Sequence, residues 1–356
     1  MGLQALTDDG FAALYEGAYV FDGHNDLALR LLDGEDIASR RSCGHLDLPR
    51  MRESGYDAAV FAVWIDPERP DPLGRSLEGL ATLLAWCDRT DGVRAVLGRH
   101  DLETARERDE VAVVPGVEGG YGIRDLADAD ALIEAGMRCL TLTWMQPTAW
   151  ADASSARPVH GGLTELGRHL VRRLESRGVA IDLSHASDRV AWDVLAILEA
   201  PPIASHSCAR ALARHDRNLD DSLLEALAAA GGVVGINFFS AYLDEGFAAR
   251  FEEIRRRVQA EDGTPQDLDA AVLREVPPPT LSHLLDHVEH AVRVAGSAHV
   301  GLGTDFEGVT ALPREIEDVR GLRRVARGLA DRGFDAESLR GVLGENFWRV
   351  FHAILP

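Results

Sequence analysis

Eight short apolar runs, separated by longer amphipathic stretches, punctuate the chain from end to end, at residues 19–22, 58–64, 111–117, 138–143, 179–183, 202–205, 232–237 and 299–303. Runs of this length and continuity read as buried strands, and the stretches between them as crossover helices. Eight such units in 356 residues match the count and size of a (β/α)8 TIM barrel. The expected fold class is therefore α/β, with residues 1–356 forming one barrel domain. A doubly wound sheet is the competing architecture.

Helix signals fall between the strands as a barrel requires. Segment 76–87 opens after Gly-Arg, 164–177 ends at Gly178, and 221–230 ends at the pair Gly231-Gly232. One stretch breaks the rhythm. Residues 240–280 are longer and more charged than an ordinary connection, and the run at 299–303 still follows to complete the barrel. A helical insertion after the seventh strand is expected there, serving as a lid, as a subunit contact or as a solvated excursion.

The chain carries 37 basic and 58 acidic residues, a net charge of −21. Such a charge disfavours nucleic acid and anionic membrane surfaces as partners. Every basic residue is Arg and none is Lys. A Schiff-base lysine, a P-loop lysine and a carbamylated-lysine metal bridge are therefore excluded. The four cysteines, Cys43, Cys87, Cys139 and Cys208, form no C-x-x-C pair, which fits a reducing cytoplasm and no disulfide framework. No run approaches the ~18 apolar residues of a membrane span. The first twenty residues lack the basic and apolar regions of a secretory signal, and Met1-Gly2 is followed by Leu6 where myristoylation wants Ser or Thr.

Six polar residues fall at the C-terminal ends of expected strands, the face where barrel active sites are assembled. His24 and Asp26 lie two apart in FDGHND, a spacing that points both to one side of a strand. The alternative is a polar turn in which Asn25 and Asp26 cap a helix. Glu118 ends an apolar run and precedes Gly119-Gly120. His185 and His206 follow successive strands, 21 residues apart. Either alone would read as a hydrogen-bonded structural histidine, but equivalent places in successive units argue for a shared role. Asp305 follows the last run, and its plain reading is a helix N-cap. Three imidazoles and three carboxylates exceed the needs of one catalytic zinc, which takes three protein ligands and a water. Two divalent ions ~3.5–4 Å apart can share a hydroxide and polarise a carbonyl, the logic of metal-assisted hydrolysis. Without lysine the bridge must be a carboxylate, for which Glu118 is best placed, leaving Asp305 to shuttle a proton.

The segments HNDLALRL, GVEGG, RCLTLTW, AIDLSHAS, PPIASHS, RNLDD and GLGTDFEGV, in this order from about residue 19 to 351, resemble those of the membrane dipeptidase (renal dipeptidase) family of zinc peptidases. The resemblance implies two Zn2+ per chain, other divalent metals being admissible. His24 and Asp26 would bind one, His185 and His206 the other, and Glu118 would bridge them. It further implies Asp305 as acid/base and Arg217 as the arginine that contacts substrate, with Tyr242 as a looser substrate-side match. One departure stands out. Where best-known members of the family carry a histidine over the substrate, LTLT is followed here by Trp144, whose indole donates one hydrogen bond but cannot exchange a proton. The metal ligands are untouched, while substrate identity becomes the open matter.

The function expected is that of a metallo-dipeptidase, cleaving the amide bond of dipeptides, L,D as well as L,L, by a metal-bridging hydroxide. A binuclear amidohydrolase acting on N-acyl amino acids, lactams or lactones is the alternative, and a non-enzymatic metal- or peptide-binding barrel is the third reading. The chain ends at Ala353-Ile354-Leu355-Pro356 without an anchor-like tail, so a soluble, cytoplasmic, bacterial-type relative is expected, with a homodimer left open.

Overall fold

The computed structural model describes residues 7–356; residues 1–6, on which the reading of the Met-Gly start falls, lie outside the described residues. Nine parallel strands run through it: β1 Val20–Asn25, β2 Tyr56–Trp64, β3 Val93–Ala95, β4 Val111–Glu118, β5 Cys139–Thr141, β6 Ala180–Asp182, β7 Ile203–Ala204, β8 Val233–Asn237 and β9 Val300–Gly303. β2 pairs with β4 rather than with β3, and β1 pairs with both β2 and β9, so eight of the nine close into a parallel barrel. The barrel expected from the eight runs is the fold observed.

The ninth strand was not foreseen. β3 bonds to residues 111–113 of β4, whereas β5 bonds to residues 116–118, so β3 takes the length of edge that β5 leaves free. Only Val93 of its three residues is buried, Arg94 and Ala95 being half-buried, which removes the continuous apolar run by which the others are recognised.

Strand ends differ from expectation for a local reason. The runs at 138–143, 179–183 and 202–205 shrink to ladders of three, three and two residues. Beyond β6 and β7 the amides of Ser184 and Ser205 bond to the carboxylate of Asp182, at 3.0 and 2.8 Å, instead of to a neighbouring strand. A side chain thus takes over donors that the ladder would otherwise satisfy.

The helix Pro72–Arg89 begins four residues before the expected start, because Asp71 caps it and Pro72 fits its first turn. Thr164 caps Glu165–Ser176, and Asp220 caps Asp221–Ala229. Residues 240–280 hold the helices Ser240–Leu243, Glu245–Ala260 and Pro265–Glu275, which bury Tyr242, Phe247, Ile254 and Val272.

The barrel is closed at its N-terminal end. Phe21, Val60, Val114, Ala180, Ile203 and Val233, from the early halves of their strands, share one buried cluster with Phe347, Val350 and Phe351 of the final helix Asn346–Ile354. Phe351 stacks on Phe21 with centroids 5.2 Å apart. Apolar plugging of that end leaves the opposite mouth for polar groups.

Candidate metal centre

Each of the six polar residues is carried to the C-terminal mouth by its strand. His24 lies within β1 and Asp26 just beyond it. Asn25 takes the capping part, its Oδ1 accepting from the Leu27 amide at 3.1 Å, while Asp26 makes no capping bond. The Asp26 carboxylate is thereby left for the mouth, 3.8 Å from His24 Nε2. Glu118 is the last residue of β4, and His185 and His206 follow β6 and β7 within three residues. The chain at Ser205 presses into the barrel centre, where a Cβ on Gly235 or Gly303 would lie 2.1 or 1.9 Å from the Ser205 carbonyl oxygen. Only glycine permits that approach, and it sets His206 among the other ligand candidates.

Glu118 divides its two oxygens. Oε1 lies 3.0 Å from His185 Nε2 and 3.3 Å from His206 Nε2, and those two nitrogens are 3.0 Å apart. Oε2 faces the other way, 3.7 Å from His24 Nε2. Three overlapping triads result, His24–Asp26–Glu118, Glu118–His185–His206 and His24–His206–Asp305, each with its ligand atoms within 4.8 Å of one another. Asp305 is held by Asn237 Nδ2, which donates to its Oδ2 at 2.9 Å, and by its own amide, which donates to the His24 carbonyl at 3.0 Å. No helix follows it, so it is not an N-cap. His185 and Asp305 both take positive φ, 65° and 59°, a strain that non-glycine residues hold where surroundings impose it.

Burial makes Glu118, Asp305, His185 and His206 poor ions. It pushes Glu118 well above its usual 4.5, with Asp26 and Asp305 adding to it and His24 opposing. Burial also pushes Asp305 from 3.8 to about 6, against the pull of His24. Burial drives His185 and His206 well below 6.5, helped by the charges of Arg217 and His24. For His24 burial is outweighed by Glu118, Asp26 and Asp305, which raise it to about 10. Among the described residues, both ring nitrogens of His24, Oδ1 of Asp26 and Nδ1 of His185 are buried without a hydrogen-bond partner. Buried polar atoms are rarely left so, and a cation, taking the place of the proton that the carboxylates favour on His24, would answer them.

The Asp305 shift has a measurable consequence. Its folded value exceeds the unfolded one, so the stability tied to its proton is fully present below 3.8 and lost as pH rises through about 6. In chelator-treated protein Asp305→Asn is expected to be the more stable form above that window, because a neutral amide escapes the burial cost that the carboxylate bears. The difference should close as pH falls below the window. Denaturant titrations across it check this, and a gap that widens towards acid would refute the assignment.

Residues 9–355 match the family model described as membrane dipeptidase, peptidase family M19. The chain belongs to that family. With it comes the chemistry of a metal-dependent hydrolase of peptide bonds. Dipeptidase AC, a metallopeptidase of family M19, is 28% identical, with 95% of this chain and 99% of that chain covered at a TM-score of 0.80. A metallopeptidase from Rhodobacter sphaeroides, solved with a phosphinate mimic of the dipeptide L-Ala-D-Ala, is 26% identical over 95% of this chain and 99% of its own, with a TM-score of 0.79. The probable dipeptidase PvdM from Pseudomonas aeruginosa shares the fold at a TM-score of 0.84 and 24% identity, over 97% and 98% of the two chains.

Around these ligand candidates lie the substrate-side candidates. Arg217 is 2% exposed. Its Nη2 donates to the His206 carbonyl at 2.9 Å and its Nη1 to Ser207 Oγ at 3.3 Å, while its Nε has no partner among the described residues. The guanidinium lies 5.3 Å from the centre of the Tyr242 ring. Trp144 is anchored by its amide to the Tyr121 hydroxyl at 3.1 Å, and its indole meets Trp64 edge-on at 4.9 Å and lies 6.3 Å from the His185 ring. Sequence reasoning did not single out Asn237, although it ends the seventh run where the other five strands carry their polar residues. Nor did it single out Asp22, whose carboxylate accepts from Tyr56, from the His24 amide, and from both the amide and the hydroxyl of Thr304. Among the described residues no helix is long and apolar enough to cross a membrane.

Proposed function

We propose that the chain hydrolyses dipeptides at a centre of two divalent ions, zinc in the first instance. His24 and Asp26 hold one ion, His185 and His206 the other, and Glu118 is shared. The observation that carries this reading is the division of Glu118, one oxygen towards each group of imidazoles. Bound there, divalent ions would supply Lewis acidity to a carbonyl oxygen and lower the pKa of a water.

The chain's own residues do the rest. Arg217, with two nitrogens already fixed and Nε without a partner among the described residues, binds a carboxylate or carbonyl oxygen of the substrate. Tyr242 packs beside the guanidinium and limits its swing. Asp305 has Oδ2 engaged by Asn237, so Oδ1 is the atom that takes a proton from water and passes it to the departing amine. Trp144 and Trp64 form an apolar wall beside His185 that excludes water. Residues 1–356 are read as one domain, and the insertion at 240–280 starts with the segment that bears Tyr242, which suits it to cover the site.

L,D- as well as L,L-dipeptides are the proposed substrates, supported by the Rhodobacter sphaeroides relative and its L-Ala-D-Ala mimic. The aromatic wall at Trp144 favours a second reading, hydrolysis of N-acyl amino acids with apolar acyl groups. Steady-state kinetics of metal-reconstituted protein on L,L-dipeptides, L,D-dipeptides and N-acyl amino acids, with metal content measured in parallel, separates them. Dipeptide turnover at about two ions per chain is expected. Turnover of N-acyl amino acids alone would favour the second reading, and two bound ions with no amide cleaved would refute both.

A further inference from the structure

Behind His206 lies a buried chain of hydrogen bonds that the proposed chemistry does not use. Asp182, at the end of β6, accepts four of them. The amides of Ser184 and Ser205 donate to Oδ1 at 3.0 and 2.8 Å, and the hydroxyls of Thr141 and Ser205 donate to Oδ2, each at 2.6 Å. Ser205 Oγ in turn lies 2.7 Å from His206 Nδ1. We infer that Asp182 and Ser205 are positioning residues that fix the tautomer of His206, leaving its Nε2 bare and turned to the metal centre. The inference rests on the reading of His206 as a metal ligand.

A serine hydroxyl has one hydrogen to give and two lone pairs to receive with. The carboxylate of Asp182 is an acceptor only, so at 2.6 Å the Ser205 hydrogen is spent on it. Towards His206 Nδ1 the same oxygen can then only accept, which places the imidazole hydrogen on Nδ1. A neutral ring protonated at Nδ1 carries its lone pair on Nε2, the atom 3.3 Å from Glu118 Oε1. Ser184 Oγ, which accepts from the His206 amide at 3.0 Å, lies 3.4 Å from Ser205 Oγ and can fill its second lone pair without disturbing the count. The chain cannot slide, because the Ser205 backbone is wedged against Gly235 and Gly303. His185 has no such support, since its Nδ1 is buried and unpartnered among the described residues. The two histidines proposed for one ion thus differ: one is set by a relay and the other by its strained backbone at φ 65°.

Asp182→Asn should invert the relay. Its single oxygen is needed by two amides that cannot turn, so its NH2 faces the hydroxyls. Ser205 then accepts from the amide and donates to His206 Nδ1, which moves the ring hydrogen to Nε2. The experiment uses metal-free full-length protein, [15N]histidine spectra for the tautomer of His206, and Zn2+ titration against a competing chelator. Wild type is expected to show His206 protonated at Nδ1 and to take up two ions. Asp182→Asn is expected to show Nε2–H and to bind one ion about 10–100-fold more weakly, the other unchanged. Ser205→Ala, which only deletes the partner, should weaken the same ion without inverting the tautomer, and it carries the test should Asp182→Asn fail to fold. Thr141→Val removes a bond to the same Asp182 oxygen but spares the relay, so it should bind both ions as wild type does. Nε2–H on His206 in wild type overturns the inference, as does wild-type affinity for both ions in Asp182→Asn and Ser205→Ala. Fewer than two ions bound by wild type, with His206 protonated at Nδ1, would overturn the metal-centre reading and support the tautomer assignment.

Discussion

Asp305→Asn is expected to retain both metal ions and to lower kcat on a dipeptide by ~10²–10⁴-fold, with KM little changed. Asparagine keeps the size of the side chain and an oxygen to receive Asn237 Nδ2, now 2.9 Å from Asp305 Oδ2. What it loses is an atom that can take up and release a proton. The geometry also offers a competing role, because Asp305 belongs to one triad of candidate ligands with His24 and His206. If Asp305 is a ligand first, the variant will lose metal along with activity. Metal content beside kcat therefore decides between proton transfer and coordination, and loss of an ion in step with rate would sink the acid/base role.

The barrel was legible because strands buried on both faces leave apolar runs that few other structures produce. β3 was not, being three residues long with only Val93 buried. The overlong expectations at 179–183 and 202–205 fail for a reason invisible in hydropathy: the Asp182 side chain takes backbone donors that would have extended the ladder. The mouth was legible in the same uneven way. His24, Asp26, Glu118, His185, His206 and Asp305 stand just where runs end, and barrel closure brings those ends together. Which oxygen of Glu118 faces which imidazole depends on how β4 sits across from β1, β6 and β7, and no spacing along the chain encodes that. Asp22, Asp182, Ser205 and Asn237 lie within or at the close of apolar runs, where a polar residue reads as an interruption. The signal available for them was the cost of burying such a residue unpaired, which obliges each to find partners and so to tie one strand end to another.

Glu118→Gln should be the most damaging single change, leaving fewer than two ions per chain and lowering kcat/KM by ~10⁴-fold or more. Two divalent ions bring four positive charges, against which Asp26 and Glu118 are the proposed carboxylate ligands. In a site this buried, removing one negative charge between two cations costs on the order of several kcal/mol at an effective dielectric of about 20. Glutamine also turns a donor towards one of the two groups it faces. Its NH2 must meet either His24 Nε2, 3.7 Å from Oε2, or the pair His185 and His206, 3.0 and 3.3 Å from Oε1. Whichever way the amide lies, one ion loses an anionic ligand and gains a repelling hydrogen. The losses of Asp305→Asn and Glu118→Gln thus differ in kind, the first in rate at full metal occupancy and the second in occupancy itself. Metal analysis after extensive dialysis, followed by kinetics at saturating Zn2+, measures both, and a Glu118→Gln protein that holds two ions as tightly as wild type would remove Glu118 from the bridge.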